Sequence, residues 1–148
     1  MSQKKINVVV AGATGFVGLD LVYYLSKHPK VNISYLCAQK NLGKNIKYFD
    51  KRIKINVPKI SNLKKVNWTN VNLLFLSLPN GEGQKMIKKL FYHNHLKFID
   101  LSADFRIKDS KKYKKWYSIN HRAKDLIDES IYSIPEFTKD KIKKFRII

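Results

Sequence analysis

A glycine-rich stretch, Gly12-Ala13-Thr14-Gly15-Phe16-Val17-Gly18, directly follows an apolar run and directly precedes a helical pattern. The apolar run, Ile6–Ala11, is typical of a buried parallel strand, and apolar residues at helical spacing predict a helix over 16–27. A strand, a glycine turn and a helix in this order let the backbone approach a pyrophosphate, and the helix points its N-terminal amides at the anion. The pattern therefore indicates a binding site for a dinucleotide or another phosphate ligand. Its predicted residues are Gly12, Thr14, Gly15, Phe16, Val17 and Gly18.

Strand and helix signals continue to alternate along the first two thirds of the chain. A continuous apolar run at 72–78 is typical of a strand covered on both faces, and Pro79-Asn80-Gly81 is a turn signal. The alternation predicts an α/β fold of the doubly wound Rossmann type, with a mostly parallel sheet. The further predicted elements are strands at Asn32–Cys37 and Lys97–Asp100 and a helix from Glu82 to about Tyr92.

The remaining segments give weaker signals. Residues 39–65 are polar and predict loops, with one weak strand candidate at Ile53–Val57. Short helices are expected at Lys111–Trp116 and Lys124–Glu129. The last residues, Phe145–Ile148, are typical of the start of another buried strand.

Length and composition limit the class of protein. A chain of 148 residues with 44% hydrophobic content can bury one core, so we expect a single domain over residues 1–148. We find no signal-peptide pattern and no apolar run long enough for a membrane helix, so we expect a soluble, cytoplasmic protein that does not bind membranes. The single cysteine excludes an internal disulfide, and the four histidines show no zinc-ligand spacing, so no metal site is expected.

The formal net charge of +19 raises the alternative of nucleic-acid binding. Most of the excess is lysine, spread from Lys4 to Lys144 among many Asn and Ile residues. Such a spread is what a compositional bias of the source would give. We therefore favour a solvated basic surface and predict no specific nucleic-acid partner.

Four motifs in order along the chain resemble those of a known enzyme family. They are the glycine stretch itself, Leu76-Ser77-Leu78-Pro79-Asn80-Gly81, Ile99-Asp100-Leu101-Ser102-Ala103-Asp104-Phe105-Arg106 and Tyr132-Ser133-Ile134-Pro135-Glu136. Tyr113, Trp116, Tyr117 and His121 also fit the pattern. Together they resemble the N-terminal half of the N-acetyl-gamma-glutamyl-phosphate reductases of arginine biosynthesis, which belong to the same broad group as aspartate-semialdehyde dehydrogenase.

The resemblance implies a reductase that converts an acyl phosphate to an aldehyde with NADPH. In that family a cysteine attacks the acyl phosphate, hydride reduces the thioester and a later histidine acts as acid and base. The cysteine motif, Asn-Pro-Gly-Cys, would begin shortly after Ile148, so we expect no catalytic residue in this chain. The resemblance further implies that the chain is the cofactor-binding half, inactive alone. Cys37 lies at the end of the second strand, away from the expected nicotinamide position, and His121 is at most a neighbour of the active site.

Several roles follow for individual residues. No acid follows the second strand, and Lys40 could attract a 2′-phosphate, so NADP is preferred. The alternative for Lys40 is one more solvated lysine. Ser77, Leu78 and Pro79 follow a strand end and are assigned to the cofactor. Ser102 and Arg106 are assigned to the acyl phosphate, because a guanidinium matches phosphate oxygens; the alternative for Arg106 is a structural pair with Asp100 or Asp104.

Three alternatives stay open at this stage. A short-chain dehydrogenase would need Tyr-x-x-x-Lys in a late helix, whereas the chain offers it only at Tyr23 and Lys27 in the first. An NADP(H)-binding module without chemistry would share the glycine turn. The substrate could also be a carrier-linked relative from lysine synthesis. Family members associate through their second domain, so we expect a homo-oligomer at full length.

Overall fold

The computed structural model describes residues 5–148 of the chain, which divide into one compact unit ending at Ser77 and a second from Leu78 to Ile148. Unit 1 is built on parallel strands in the order β3-β2-β1-β4. The strands are β1 (Ile6–Ala11), β2 (Val31–Cys37), β3 (Ile60–Ser61) and β4 (Leu73–Leu76). The predicted class, an α/β Rossmann-type fold with a mostly parallel sheet, is confirmed.

The strand centres form the core of unit 1. Three successive residues of β1, Val8, Val9 and Val10, are fully buried, as are Leu74 and Leu76 of β4. Consecutive residues of a strand point to opposite faces, so both faces of the central strands are covered. This explains why these strands have continuous apolar sequences instead of alternating ones.

Helix α1 (Phe16–Lys27) connects β1 to β2, as predicted. It packs through Gly18, Val22 and Leu25, which are buried, and its C-terminal cap is His28, directly before Pro29. Proline has no amide hydrogen to donate and restricts the residue before it, so the helix ends there. The β-α-β unit brings β2 beside β1, with Ala11 opposite Cys37 at their carboxyl ends.

The strand expected at Ile53–Val57 is wrong. That segment is irregular, and the strand at this edge is β3, which pairs with Leu36 and Cys37. Ile53 is buried and Ile55 is half exposed, although both would lie on one face of a strand. Of these two isoleucines, only Ile53 packs in the core, so the alternating pattern here does not correspond to a strand with one buried face.

Unit 2 contains strand β5 (Lys97–Asp100) and helices α2 (Glu82–Leu90), α3 (Ser110–Tyr117) and α4 (Pro135–Ile142). The segment predicted as the start of a buried strand, Phe145–Ile148, forms isolated parallel bridges at Ile147 and no regular strand. Ile147 is fully buried and forms parallel bridges to both Phe98 and Ser130. The segment 146–148 therefore lies between β5 and residues 129–131.

The other predictions for unit 2 need small corrections. Helix α2 ends at Leu90, two residues before the predicted end, and the helix expected at 124–129 is one 3-10 turn, Lys124–Leu126. Helix α4 was not predicted, although Pro135 at its first turn is a common helix start. None of the helices within residues 5–148 is long and apolar enough to cross a membrane. The assignment of 1–148 to a single domain stays a prediction.

Candidate functional site

The glycine turn of unit 1 is fixed to the carboxyl end of β2. Gly12 has a φ of 81°, a conformation that favours glycine. Its amide and that of Ala13 both donate to the carbonyl of Cys37, at 2.9 and 3.1 Å. The turn therefore has a defined position at the carboxyl edge of the sheet before any ligand binds.

Gly18 and Gly15 have different reasons to be glycine. A Cβ at Gly18 would lie 2.1 Å from the carbonyl oxygen of Gly12, so only glycine lets α1 pack this closely on the turn. A Cβ at Gly15 would meet that oxygen at 3.5 Å, an ordinary contact. Gly15 is exposed, so its missing side chain leaves space for something outside the protein.

The first turn of α1 has the properties of an anion site. Gly15 caps the helix without a side-chain hydrogen bond, and the first turn contains no acidic residue. The first amides of a helix have no intrahelical acceptor and carry the positive end of the helix dipole. Phe16 and Val17 surround these amides with exposed apolar surface, since Phe16 is 95% exposed. This arrangement fits a pyrophosphate flanked by less polar groups.

The turn lies at the crevice of the sheet. Strand order reverses at β1, with β2 on one side and β4 on the other, and ligands of open α/β sheets bind at such a point. The Ser77 amide donates to the carbonyl of Ala11 at 2.9 Å, which places Ser77 next to the glycine turn. Leu78 and Pro79 begin unit 2, where the Pro79 carbonyl accepts from the Glu82 amide at the start of α2.

The end of β2 agrees with a 2′-phosphorylated cofactor. Residues 37–40 contain no carboxylate that would repel a 2′-phosphate, and Lys40 is exposed. Cys37 is fully buried, and burial raises the pKa of its thiol to about 11. A protonated, buried thiol is a poor nucleophile, which supports the interpretation that Cys37 has no catalytic role.

In unit 2, the segment after β5 is ordered by its own side chains. Asp100 accepts hydrogen bonds from both the amide and the hydroxyl of Ser102, each at 3.0 Å. The Ser102 oxygen in turn accepts from the Asp104 amide. Ser102 therefore has no free donor for an anion, and its assigned role in substrate binding, which stays a prediction, is less favoured than a role in shaping this segment.

Asp104 is the centre of a buried network that the sequence did not reveal. Its carboxylate is fully buried and accepts from the amide of Gly81 at 2.8 Å, the amide of Gln84 at 3.3 Å and the hydroxyl of Tyr113 at 2.7 Å. Gly81 is the N-cap of α2 and has no side chain to cap it, so Asp104 supplies the cap from a distant part of the chain. A side chain at Gly83 would crowd this carboxylate and that of Asp100, both 3.3 Å from its Cβ position.

His121 supports the same network. Its ring is buried between those of Phe105 and Tyr113, and Nε2 lies 2.8 Å from the carbonyl oxygen of Asp104. The Ala123 amide donates to Nδ1, so Nε2 must carry the proton and donate to Asp104. Burial lowers the pKa of His121. The imidazole is thus neutral with both nitrogens engaged, which indicates a structural role.

Arg106 lies at a cleft of about 170 Å³ in unit 2. Its guanidinium is exposed and lies over the ring of Tyr132, with Cζ 5.4 Å from the ring centroid. Within residues 5–148 it forms no ion pair, so neither Asp100 nor Asp104 neutralises it. The structural pair considered as an alternative for Arg106 is therefore absent from this part of the chain. The cleft is lined by Asp100, Leu101, Ser102, Phe105, Arg106, Ile131, Tyr132, Ser133 and Ile148.

Several curated relatives of the chain are named as N-acetyl-gamma-glutamyl-phosphate reductases. The chain is 42% identical over 147 residues to an N-acetyl-gamma-glutamyl-phosphate reductase of Ehrlichia ruminantium, 37% identical to one of Clostridium novyi and 33% identical to a probable chloroplastic one of Oryza sativa. These alignments cover 97%, 97% and 99% of the chain but only 42%, 42% and 35% of the relatives. The chain thus spans less than half the length of these relatives.

Solved structures with a similar fold include two aspartate semialdehyde dehydrogenases. Aspartate semialdehyde dehydrogenase II of Vibrio cholerae, complexed with ASA, matches 99% of the chain with a TM-score of 0.67 at 20% identity, over 38% of its own length. The enzyme of Candida albicans, solved with NADP, matches 72% with a TM-score of 0.58 at 22% identity, over 32% of its length. The model of the family "semialdehyde dehydrogenase, NAD binding domain" matches residues 7–145. With its glycine turn at the crevice of a parallel sheet, the chain belongs to this family of NAD-binding domains.

Proposed function

We propose that this chain is the cofactor-binding part of an NADPH-dependent N-acetyl-gamma-glutamyl-phosphate reductase. The reaction reduces N-acetyl-L-glutamyl 5-phosphate to N-acetyl-L-glutamate 5-semialdehyde, releasing phosphate, in arginine biosynthesis. The observation that carries the proposal is the 42% identity, over 97% of the chain, to a relative named as this reductase. The geometry of the glycine turn supports the cofactor half of the proposal.

Unit 1 holds the cofactor in this proposal. The first turn of α1 and the exposed backbone at Gly15 receive the pyrophosphate, while Lys40 is assigned to the 2′-phosphate of NADP. Ser77 lies beside the glycine turn and borders the same crevice. The bound cofactor would supply a hydride to the acyl carbon.

Unit 2 supplies the phosphate-binding group in this proposal. Arg106 presents an unneutralised guanidinium at the cleft, and its planar set of donors matches the oxygens of an acyl phosphate. Binding there would disperse the charge that grows on the leaving phosphate as a nucleophile attacks the acyl carbon. Because Cys37 is buried, we assign the nucleophile to a residue outside this chain and expect the chain alone to show no turnover.

Other parts of the proposal rest on the resemblance. Small-molecule substrates, assembly into a homo-oligomer at full length and a cytoplasmic location are expected of the whole enzyme. An acyl phosphate from lysine synthesis is the alternative substrate, and a non-catalytic NADP(H) module is the alternative for the chain itself.

Titration of the chain with NADPH and with NADH, followed by cofactor fluorescence, tests the cofactor assignment. We expect NADPH to bind more tightly than NADH. Gly15→Ala should weaken both by at least about tenfold, since its methyl group would occupy the approach of the pyrophosphate without crowding the protein. Lys40→Glu should weaken NADPH binding and leave NADH binding nearly unchanged.

Lys30→Glu is the matched control for Lys40→Glu. Lys30 is also exposed, but it precedes β2 at the amino end of the sheet, about 20 Å along the strand from the cofactor edge. Equal losses in the two variants would mean that only the overall positive charge attracts NADPH. Two results would overturn the assignment. One is a folded chain that binds neither cofactor, and the other is a Gly15→Ala variant that binds both cofactors as tightly as the parent does.

A further inference from the structure

Within residues 5–148 no carboxylate forms an ion pair with Arg106, and the two acids of its own motif, Asp100 and Asp104, accept hydrogen bonds from other groups. Asp100 accepts from the amide and hydroxyl of Ser102, and Asp104 accepts from the Gly81 amide and the Tyr113 hydroxyl. A guanidinium that pairs with a carboxylate has fewer donors left for a ligand. The side chains of this segment therefore leave the donors of Arg106 available at the cleft.

The partner that Arg106 does have is an aromatic ring. Its Cζ lies over Tyr132 at 5.4 Å from the ring centroid, within the range of a cation–π interaction. Unlike a carboxylate, an aromatic ring carries no net charge, so it leaves the positive charge of the guanidinium uncompensated for an anion. Tyr132 can therefore hold the orientation of Arg106 without competing with an anion for its donors.

Both residues follow anchored neighbours. Phe105 is buried and the Arg106 amide donates to the carbonyl of Ala103, which fixes the backbone under the guanidinium. On the other side, the Ile131 amide donates to the Ile147 carbonyl at 2.9 Å, directly before Tyr132. The ring and the guanidinium are thus presented to the same cleft by two ordered backbones.

We propose that Tyr132 is a positioning residue, whose ring orients Arg106 to bind the phosphoryl oxygens of an anionic substrate. This inference rests on the proposed function, because it assigns the acyl phosphate to the cleft in unit 2. It also gives a role to Tyr132, which the sequence identified only as part of the motif Tyr132–Glu136. The orientation of Arg106 requires the aromatic face of Tyr132 but not its hydroxyl.

Inorganic phosphate is the probe, titrated into the chain at constant ionic strength while the Arg106 Nε–H resonance is followed by NMR. A resonance of one residue is needed because a chain of net charge +19 attracts phosphate at many lysines. The variants are Tyr132→Phe, Tyr132→Leu and Arg106→Ala. Tyr92→Leu is the matched control, since Tyr92 is also an exposed tyrosine of unit 2 but does not line the cleft.

We expect saturable binding at Arg106 in the parent chain and in Tyr132→Phe, with the same ring-current shift of the Arg106 side chain. Tyr132→Leu should lose that shift and bind phosphate about two- to fivefold more weakly. Tyr92→Leu should bind phosphate like the parent. Arg106→Ala should abolish the phosphate-dependent shifts of the backbone amide resonances around the cleft. Melting temperatures check that each variant is folded.

Two results would overturn the inference: Tyr132→Leu binding phosphate like the parent, or Tyr132→Phe binding it as weakly as Tyr132→Leu. The parent titration separates this inference from the cofactor assignment. An Arg106 resonance that phosphate does not shift, in a chain that binds NADPH, would refute the role of the cleft and leave the cofactor assignment standing. Normal phosphate binding without NADPH binding would refute the cofactor assignment alone.

Discussion

Removing the buried carboxylate of Asp104 should be one of the most destabilising single changes in unit 2. Asp104→Ala leaves three donors without their acceptor: the amides of Gly81 and Gln84 and the hydroxyl of Tyr113. Each of the three buried donors left unsatisfied costs about 1–3 kcal/mol, so we expect a loss of about 3–9 kcal/mol in the free energy of unfolding. That loss is a large part of the total of about 5–15 kcal/mol typical of folded proteins.

Two milder variants keep the measurement interpretable if Asp104→Ala does not fold. Asp104→Asn retains one oxygen as an acceptor, and Tyr113→Phe removes only one donor, so each should cost about 1–2 kcal/mol. In the double variant of Tyr113→Phe with Asp104→Ala the two losses should not add, because both changes remove the same hydrogen bond.

Urea unfolding, followed by circular dichroism, provides the assay. The midpoint should fall in the order parent, Tyr113→Phe and Asp104→Asn, then Asp104→Ala, with an unchanged slope. A loss below about 1 kcal/mol for Asp104→Ala at unchanged slope would refute the reasoning, since it would mean that water replaces the carboxylate at no cost.

Three further predictions concern other sites. Gly18→Ala should destabilise the chain by about 1–3 kcal/mol or prevent folding, because its Cβ would lie 2.1 Å from a backbone oxygen. Gly15→Ala should change the melting temperature little, because its Cβ makes only an ordinary contact. Equal melting temperatures for the two variants would contradict this difference. Cys37 should react with a disulfide reagent at least about a hundredfold more slowly in the native state than in concentrated urea, because burial raises its pKa to about 11, and rapid native labelling would count against its burial. Burial also raises the pKa of Asp100 to about 6 from its usual 3.8. The protonated carboxyl group therefore stabilises the folded chain fully below about pH 3.8, and this stabilisation is lost as the pH rises through 6. Compared with Asp100→Asn, the parent should therefore lose about 1–3 kcal/mol between about pH 4 and pH 7 in urea unfolding, and parallel pH profiles would refute this.

The glycine turn could be predicted from sequence because its requirements are local. The positive φ of Gly12 and the close approach of Gly18 arise within one strand, one turn and one helix. The apolar runs of β1 and β4 were equally clear, since strands buried on both faces must be continuously apolar. These features explain why the fold class and the cofactor edge of unit 1 could be predicted together.

What the sequence could not show depends on distant partners. Strand β3 has only two residues, and its place is set by pairing with Leu36 and Cys37, so local pattern favoured Ile53–Val57 instead. The role of Asp104 depends on Gly81 and Tyr113, which lie far from each other in sequence. Arg106 and Tyr132 likewise belong to two different motifs, and nothing in the sequence indicated that the two side chains would be in contact.

The position of residues 146–148 has a consequence for the order of folding during synthesis. The segment lies between β5 and residues 129–131, with Ile147 bridged to Phe98 and Ser130 on its two sides. Earlier parts of a nascent chain generally fold first, yet these two backbones can be joined only once residues 146–148 have been made. The pairings β1–β2, β1–β4 and β2–β3 all lie within unit 1, so they can form once β4 has been made. In unit 2, the link between β5 and residues 129–131 should therefore form later than these pairings, because residues 146–148 supply it.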